Sequence, residues 1–389
     1  FELNKGWRID HIYISKELTS KLKSCVIDCS PRGNLRPSDH APVMIELNLN
    51  DINEDFFEDD RFSEFTQYYS SGKNYSNNIH LILNGDILNL IQIDIEGCFS
   101  QFIDEELTVK AIESIYAGHK GFFESLKSFL SAPNKKLTYV IGNHDIGMGF
   151  KGAQKRFKEL VGSEEIDFCY DINIHGVHIE HGHRFEVINT VPPEKTFMIG
   201  PNNKEILNLP WGSLFCISVL PQLKKERPFI DKVRPMSSYI KWTLIHDFAF
   251  FIKMLIIVMK YFIKTNFDTY TKHLRNFKTN ITILKQVTIY PRYESKAKSI
   301  LRKRKDIHTV VMGHTHVAEW RRFPEGKYYF NTGTWNMIPS IDAALHANTA
   351  TLSYVLIDVQ TKTNTPREAS LNVWQGSWRP FIEEIKLSG

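Results

Sequence analysis

T-V-V-M-G-H-T-H-V, residues 309 to 317, decides how this chain reads: a β-branched run stops at Gly313, and His314 and His316 follow at once. Such a run predicts a buried strand that delivers two imidazoles onto the loop beyond it, with Gly313 allowing a sharp turn. Three upstream segments repeat the pattern of an apolar strand closed by ligand-type side chains. They are I-H-L-I-L-N-G-D, ending at Asp86, L-T-Y-V-I-G-N-H-D, ending at Asp145, and G-V-H-I-E-H-G-H, ending at His183. If the four strands lie side by side, their loops converge on one pocket, because sheet edges are where α/β proteins build sites. Taken singly, an Asp after Gly is ordinarily a turn residue and a lone His a surface one. The weight lies in four such segments on one chain.

The surrounding sequence bounds the class. With 389 residues, 42% hydrophobic and 24% charged, the chain has material for one large domain or two to three smaller ones, and reads as soluble and globular. Five cysteines (Cys25, Cys29, Cys98, Cys169, Cys216) form no C-x-x-C pair, which predicts a reducing compartment, with cytoplasmic as the expected location. No basic and then apolar leader opens the sequence. The net charge of +4 hides an asymmetry: Lys224 to Asp306 holds 20 Lys and Arg against 6 Asp and Glu, leaving 28 against 38 elsewhere. An acidic body with a basic insert implies an anionic partner, whether a membrane surface, a phosphorylated substrate or nucleic acid.

Periodicity predicts a helix over about 55–69, a loop over 70–78, a strand at 79–84, a long helical region over about 104–131 and a strand at 137–141. Residues 166–180 alternate as a hairpin turning at His175-Gly176, and strands follow at 307–312, 327–331 and 351–358. Strands alternating with helices define an α/β chain. Leu244 to Ile263 is very apolar, but Lys253 and Lys260 interrupt it, so it is too broken for a spanning helix. On a helix, His246, Lys253, Lys260 and Lys264 form one polar stripe, the pattern of an interfacial helix, a lid or an ordinary core helix.

In order, G-D at 85–86, G-N-H-D at 142–145, H-G-H at 181–183 and G-H-T-H at 313–316 resemble the motifs of the calcineurin-like metallophosphoesterases. The resemblance covers about residues 53–360 and is nearest to the UDP-2,3-diacylglucosamine hydrolase branch. It implies a four-layer α/β/β/α sandwich over about 51–389, with a basic helical insert at about 205–300. It also implies hydrolysis of a phosphate ester or anhydride by two divalent ions, Mn, Fe or Zn. Motif by motif, Asp86 is the bridging carboxylate, Asn143, His181 and His314 complete one metal site, and His316 belongs to the other. His144 is the residue expected to contact phosphate and protonate the leaving oxygen, with Asp145 orienting it. Either histidine of H-G-H suits the ligand role, and motif position favours His181 over His183; His119 and His178 read as structural.

One family motif is missing: no Asp-x-His precedes the E-D-D-R-F segment, and Asp51-Ile52-Asn53 is the nearest surrogate. The second site then keeps only Asp86 and His316, so one tightly held ion is expected. The expected partner is a phosphorylated small molecule or a lipid- or nucleotide-linked phosphate, with peripheral membrane contact through 244–263. Nucleic acid is not the expected partner. The alternatives are a nucleic-acid phosphodiesterase and an inactive metal-binding or membrane-surface module.

Residues 1–50 follow another pattern. G-W-R-I-D-H-I-Y-I-S-K at 6–16 and S-D-H-A-P-V-M-I-E-L at 38–47 resemble the C-terminal end of exonuclease III, whose site residues would correspond to Asp10, Asp39 and His40. The upstream acids and asparagines of that family have no counterpart, so this stretch is expected to be an inert remnant of strands rather than an independent domain.

Overall fold

The computed structural model describes residues 22–27, 43–47, 58–93, 100–227, 230, 236–267, 292–336, 351–360 and 365–376. The chain divides into two units, residues 1–53 and 54–389. In the first, β1 (Leu22–Ile27) and β2 (Val43–Leu47) pair antiparallel. Asp10, Asp39, His40, Asp51 and Asn53 lie outside the described residues.

The second unit begins with α1 (Asp59–Ser70) and β3 (Ile79–Asn84). The helical region predicted over about 104–131 is two helices, α2 (Glu105–Gly118) and α3 (Lys120–Ser131). Asp104 caps α2 by accepting from Leu107 N at 2.9 Å, and the helix ends at Gly118. His119 leaves helical geometry there (φ −127°, ψ 43°) and turns its ring to Asp59, 3.1 Å away. Next come β4 (Lys135–Val140), α4 (Lys151–Val161) and β5 (Ile166–Cys169). Strands β3, β4 and β5 form a three-stranded parallel sheet. Its inner face, with α1 to α4, builds the main core around Ile112, Phe123, Leu126, Tyr139 and Phe157, all under 1% exposed.

A single residue, Tyr170, separates β5 from β6 (Asp171–Ile174), where the chain crosses into a second sheet. The predicted turn at His175-Gly176 leads into β7 (Val177–Glu180), paired antiparallel with β6. The insert supplies a short ribbon of β8 (Phe197–Ile199) and β9 (Glu205–Leu207), then α5 (Trp211–Ser218), α6 (Leu220–Lys224), α7 (Met236–His246) and α8 (Phe248–Phe267). The apolar stretch predicted as one helix over 244–263 is thus divided at Asp247, which pairs with Arg227. Among the described residues no helix is long and apolar enough to cross a membrane.

After α9 (Tyr293–Lys303) come β10 (Thr309–Met312), β11 (Ala318–Phe323) and β12 (Lys327–Thr332). Strand β10 lies parallel between β7 and β12, and the second sheet runs β11-β12-β10-β7-β6. A further ribbon joins β13 (Ser353–Gln360) to β14 (Thr365–Val373). The architecture is mixed α/β. The expectation that the ligand-bearing strands lie side by side in one sheet is corrected: β3 and β4 share a sheet, but β10 (Thr309–Met312), within the strand predicted at 307–312, belongs to the other. The physical cause is the crossing at Tyr170, which places β7 and β10 in a sheet of their own.

Candidate metal centre

Loops leaving the two sheets meet at one place. From the first sheet comes Asp86, two residues beyond β3, and from the second come His181, just after β7, and His314, two beyond β10. One ligand atom from each lies within 4.8 Å of the others. Asp86, His314 and the neighbouring His316 all have left-handed backbones (φ 53°, 65° and 64°), which non-glycine residues adopt at a cost in strain. Strain of this kind concentrates where geometry is dictated by a site rather than by local preference.

Both imidazoles are anchored through one nitrogen. His181 Nδ1 donates to the carbonyl of Asn84 at 2.8 Å. Its Nε2 sits 2.9 Å from Asp86 Oδ2 yet is aligned with no hydrogen-bond partner. His314 Nε2 lies 3.0 Å from Glu186 Oε2, and its Nδ1 is buried with no partner. Glu186 is held in turn by the hydroxyl of Tyr293 (2.9 Å) and the amide of Asn189 (2.5 Å). A histidine fixed by a carbonyl or carboxylate on one nitrogen, with the other nitrogen orphaned, is how proteins prepare an imidazole for a metal. The Oδ1 of Asn143, a residue only 6% exposed, is also buried without a partner. One carboxylate, two imidazoles and a nearby amide oxygen fit a divalent Mn, Fe or Zn ion.

Electrostatics reinforce the grouping. Burial alone would raise the Asp86 carboxyl, but His181, and then His144, hold it well below the ordinary value. Burial lowers His181, and the Asp86 carboxylate more than reverses this, so its net shift is upward. Burial, then the neighbouring His181 and His314, push His183 well below the usual imidazole range. Glu186, which burial raises, ends below its ordinary value because of the hydrogen bond from His314.

His144 donates its backbone N–H to Asp86 Oδ1 at 2.8 Å. Its ring Nδ1 lies 2.8 Å from Asn89 Oδ1, and the Asn89 amide is fixed by Gln92 Oε1 at 2.7 Å. Asn89 therefore does the orienting expected of Asp145. The Asp145 carboxylate is buried beneath the loops, where Oδ1 accepts from Gly142 N (2.6 Å) and Oδ2 from Tyr139 (2.6 Å) and Ile87 N (2.8 Å). Burial first, and then the Asp86 charge, raise its pKa to about 6. It ties the two strand-end loops together.

His183 packs its ring 5.6 Å from that of His181 but is not one of the three converging groups. His316 is half-buried and also stands outside the group. His119 and His178 serve structure, His119 bonding Asp59 and His178 bonding Asn173 and Glu180. The residues that sequence reading missed are the supporting ones: Asn84, Asn89, Glu186, Asn189 and Tyr293. Only Glu186, a carboxylate five residues past His181, carried a usable signal.

A cavity of about 2200 Å³ opens onto Asp86, His144, His181, His314 and His316 and extends under α8, where Met254, Val258 and Phe262 line it. No family model matches the chain, and no curated protein matches it significantly.

Proposed function

We propose that the chain is a metal-dependent phosphoesterase of the calcineurin-like type, its two main sheets forming the centre of a four-layer sandwich. The observation that carries this reading is the convergence of Asp86, His181 and His314, each imidazole anchored on one nitrogen, with the other nitrogen of His181 facing Asp86 Oδ2 at 2.9 Å and that of His314 buried without a partner. When bound, a divalent ion there supplies positive charge to phosphoryl oxygens and lowers the pKa of water. Asp86 Oδ2, His181 Nε2, His314 Nδ1 and Asn143 Oδ1 would hold it. His144 stands beside Asp86, with its backbone N–H on Asp86 Oδ1 and its ring Nδ1 2.8 Å from Asn89 Oδ1, and as an imidazolium the ring would supply the proton that the leaving oxygen needs. The substrate is a phosphorylated small molecule or a lipid-linked phosphate, for which the cavity offers both the polar end at Asp86 and the apolar end at Met254 and Val258. His316, outside the converging group, favours one tight ion per chain and slow turnover.

Elemental analysis of chain purified without chelator should find one tight equivalent of Mn, Fe or Zn, and Asp86→Ala or His181→Ala should lose it. Hydrolysis of bis-p-nitrophenyl phosphate with added Mn²⁺ should be measurable and should vanish in the same variants. A metal-free chain whose turnover ignores both substitutions would sink the proposal. Two tight equivalents would overturn the single-ion part and direct attention to Asp51 and Asn53.

A further inference from the structure

The outward side of α7 and α8 is more apolar than a water-facing surface requires. On α8, Phe248, Ile252, Leu255, Ile256, Met259 and Ile263 are 37% to 60% exposed, and on α7 Trp242 reaches 49% and Ile245 72%. Scattered surface hydrophobes are ordinary, whereas a contiguous patch marks an interaction site. At 3.6 residues per turn, the six positions of α8 fall within one stripe about 100° wide. Lys260 and Lys264, both exposed, fall along one border of it, together with Lys253, which pairs with Glu226. Neither helix contains an Asp or Glu, and the segment from Lys224 to Asp306 holds 20 basic against 6 acidic residues.

We propose that this face docks on a lipid bilayer carrying anionic headgroups, with α8 lying in the plane of the interface. An apolar stripe bordered by lysines that reach out to headgroups is what such a surface recognises. Lying on the membrane also agrees with the absence, among described residues, of a helix able to cross one. A nucleic acid would satisfy the lysines but leave six apolar side chains without a partner. A second copy packed antiparallel about a two-fold axis that runs across the helices would satisfy the stripe but bring lysines beside the same lysines. The inner side of α8 lines the cavity that reaches Asp86, so a lipid-linked phosphate would enter along an apolar wall. That last clause rests on the proposed phosphoesterase activity, whereas the docking does not.

Co-sedimentation tests the docking independently of catalysis. The full chain should bind vesicles mixed from phosphatidylglycerol and phosphatidylcholine and bind pure phosphatidylcholine much less. Ile256→Glu with Met259→Glu should weaken binding at least tenfold, and Lys260→Glu with Lys264→Glu by roughly fivefold or more per lysine. Metal content should be unchanged in both. The milder pair Ile256→Ala and Met259→Ala, which preserves helix propensity, should weaken binding in the same direction. Absence of vesicle binding, binding indifferent to these changes, or a solution dimer that Ile256→Glu and Met259→Glu dissociate would each overturn the proposal. Failure of the phosphoesterase reading would appear separately, as loss of metal or turnover with vesicle binding intact.

Discussion

Glu186 shows how much of the centre depends on a residue outside the three converging groups. Its carboxylate accepts from His314 Nε2, Tyr293 and Asn189, and this fixes the tautomer that leaves His314 Nδ1 free. In Glu186→Gln the amide cannot accept from all three, so the imidazole is released to turn or to protonate Nδ1. Metal affinity should fall by about 10- to 100-fold while the far-ultraviolet circular dichroism stays as in the parent, a comparison that titration calorimetry decides. An unchanged affinity would mean that Tyr293 and Asn189 suffice to position the ring. The two glycines of the strand-end loops act by absence of a side chain. A Cβ on Gly142 would overlap Asp86 Oδ1, and one on Gly85 would sit 2.5 Å from the His181 ring. At this scale Asp86, His181 and His314 were legible in the sequence because ligand chemistry restricts residue type. Asn89 and Asn189 were not, because any donor or acceptor of suitable reach can support a ring, and reach is set by the fold.

Among the elements, strands were read more faithfully than helices. The strand predicted at 79–84 is β3, and the hairpin predicted over 166–180 turns at His175-Gly176 as expected but spans only Asp171–Glu180, because Ile166–Cys169 pairs with β4 in the first sheet. The helical region predicted over about 104–131 divides at Gly118 and His119, where Asp59, on another helix, holds the His119 ring. Local periodicity carries no trace of such a contact. The start of that region was legible through Asp104, whose side chain satisfies the otherwise free Leu107 N–H. Asp104→Ala should therefore cost about 1 kcal/mol, read as a lower urea midpoint with unchanged slope. A loss below about 0.3 kcal/mol would show that water replaces the cap. Helix α8 extends past the predicted stretch to Phe267 and separates from α7 at Asp247, where pairing with Arg227 ends the continuous helix.

For the whole molecule, the decisive event is the crossing between sheets at Tyr170, which puts Asp86 and His144 on one sheet's loops and His181 and His314 on the other's. The candidate metal centre is a seam between the two sheets, and the Asp145 carboxylate, bonded to Gly142 and Ile87, ties the loops of the first sheet into one frame. Asp86, His181 and His314 all lie in the unit of residues 54–389. A chain beginning at Glu54 should accordingly keep its one equivalent of metal, measured by elemental analysis after gel filtration. If it loses the metal while remaining folded, ligands from Asp39, His40, Asp51 or Asn53 are implicated. By itself the sequence determined the α/β class, the strand-then-ligand grammar of four segments, the basic insert and the apolar face of α8. These are properties of residue type and short-range period, which survive without knowledge of neighbours. Only the tertiary structure decided which strands share a sheet, where the long helices break, which nitrogen of each histidine is left free and which side chain orients His144. Those outcomes depend on contacts between residues far apart in the chain, such as His181 with Asn84 and His314 with Glu186. No local pattern encodes the angle at which two such segments meet.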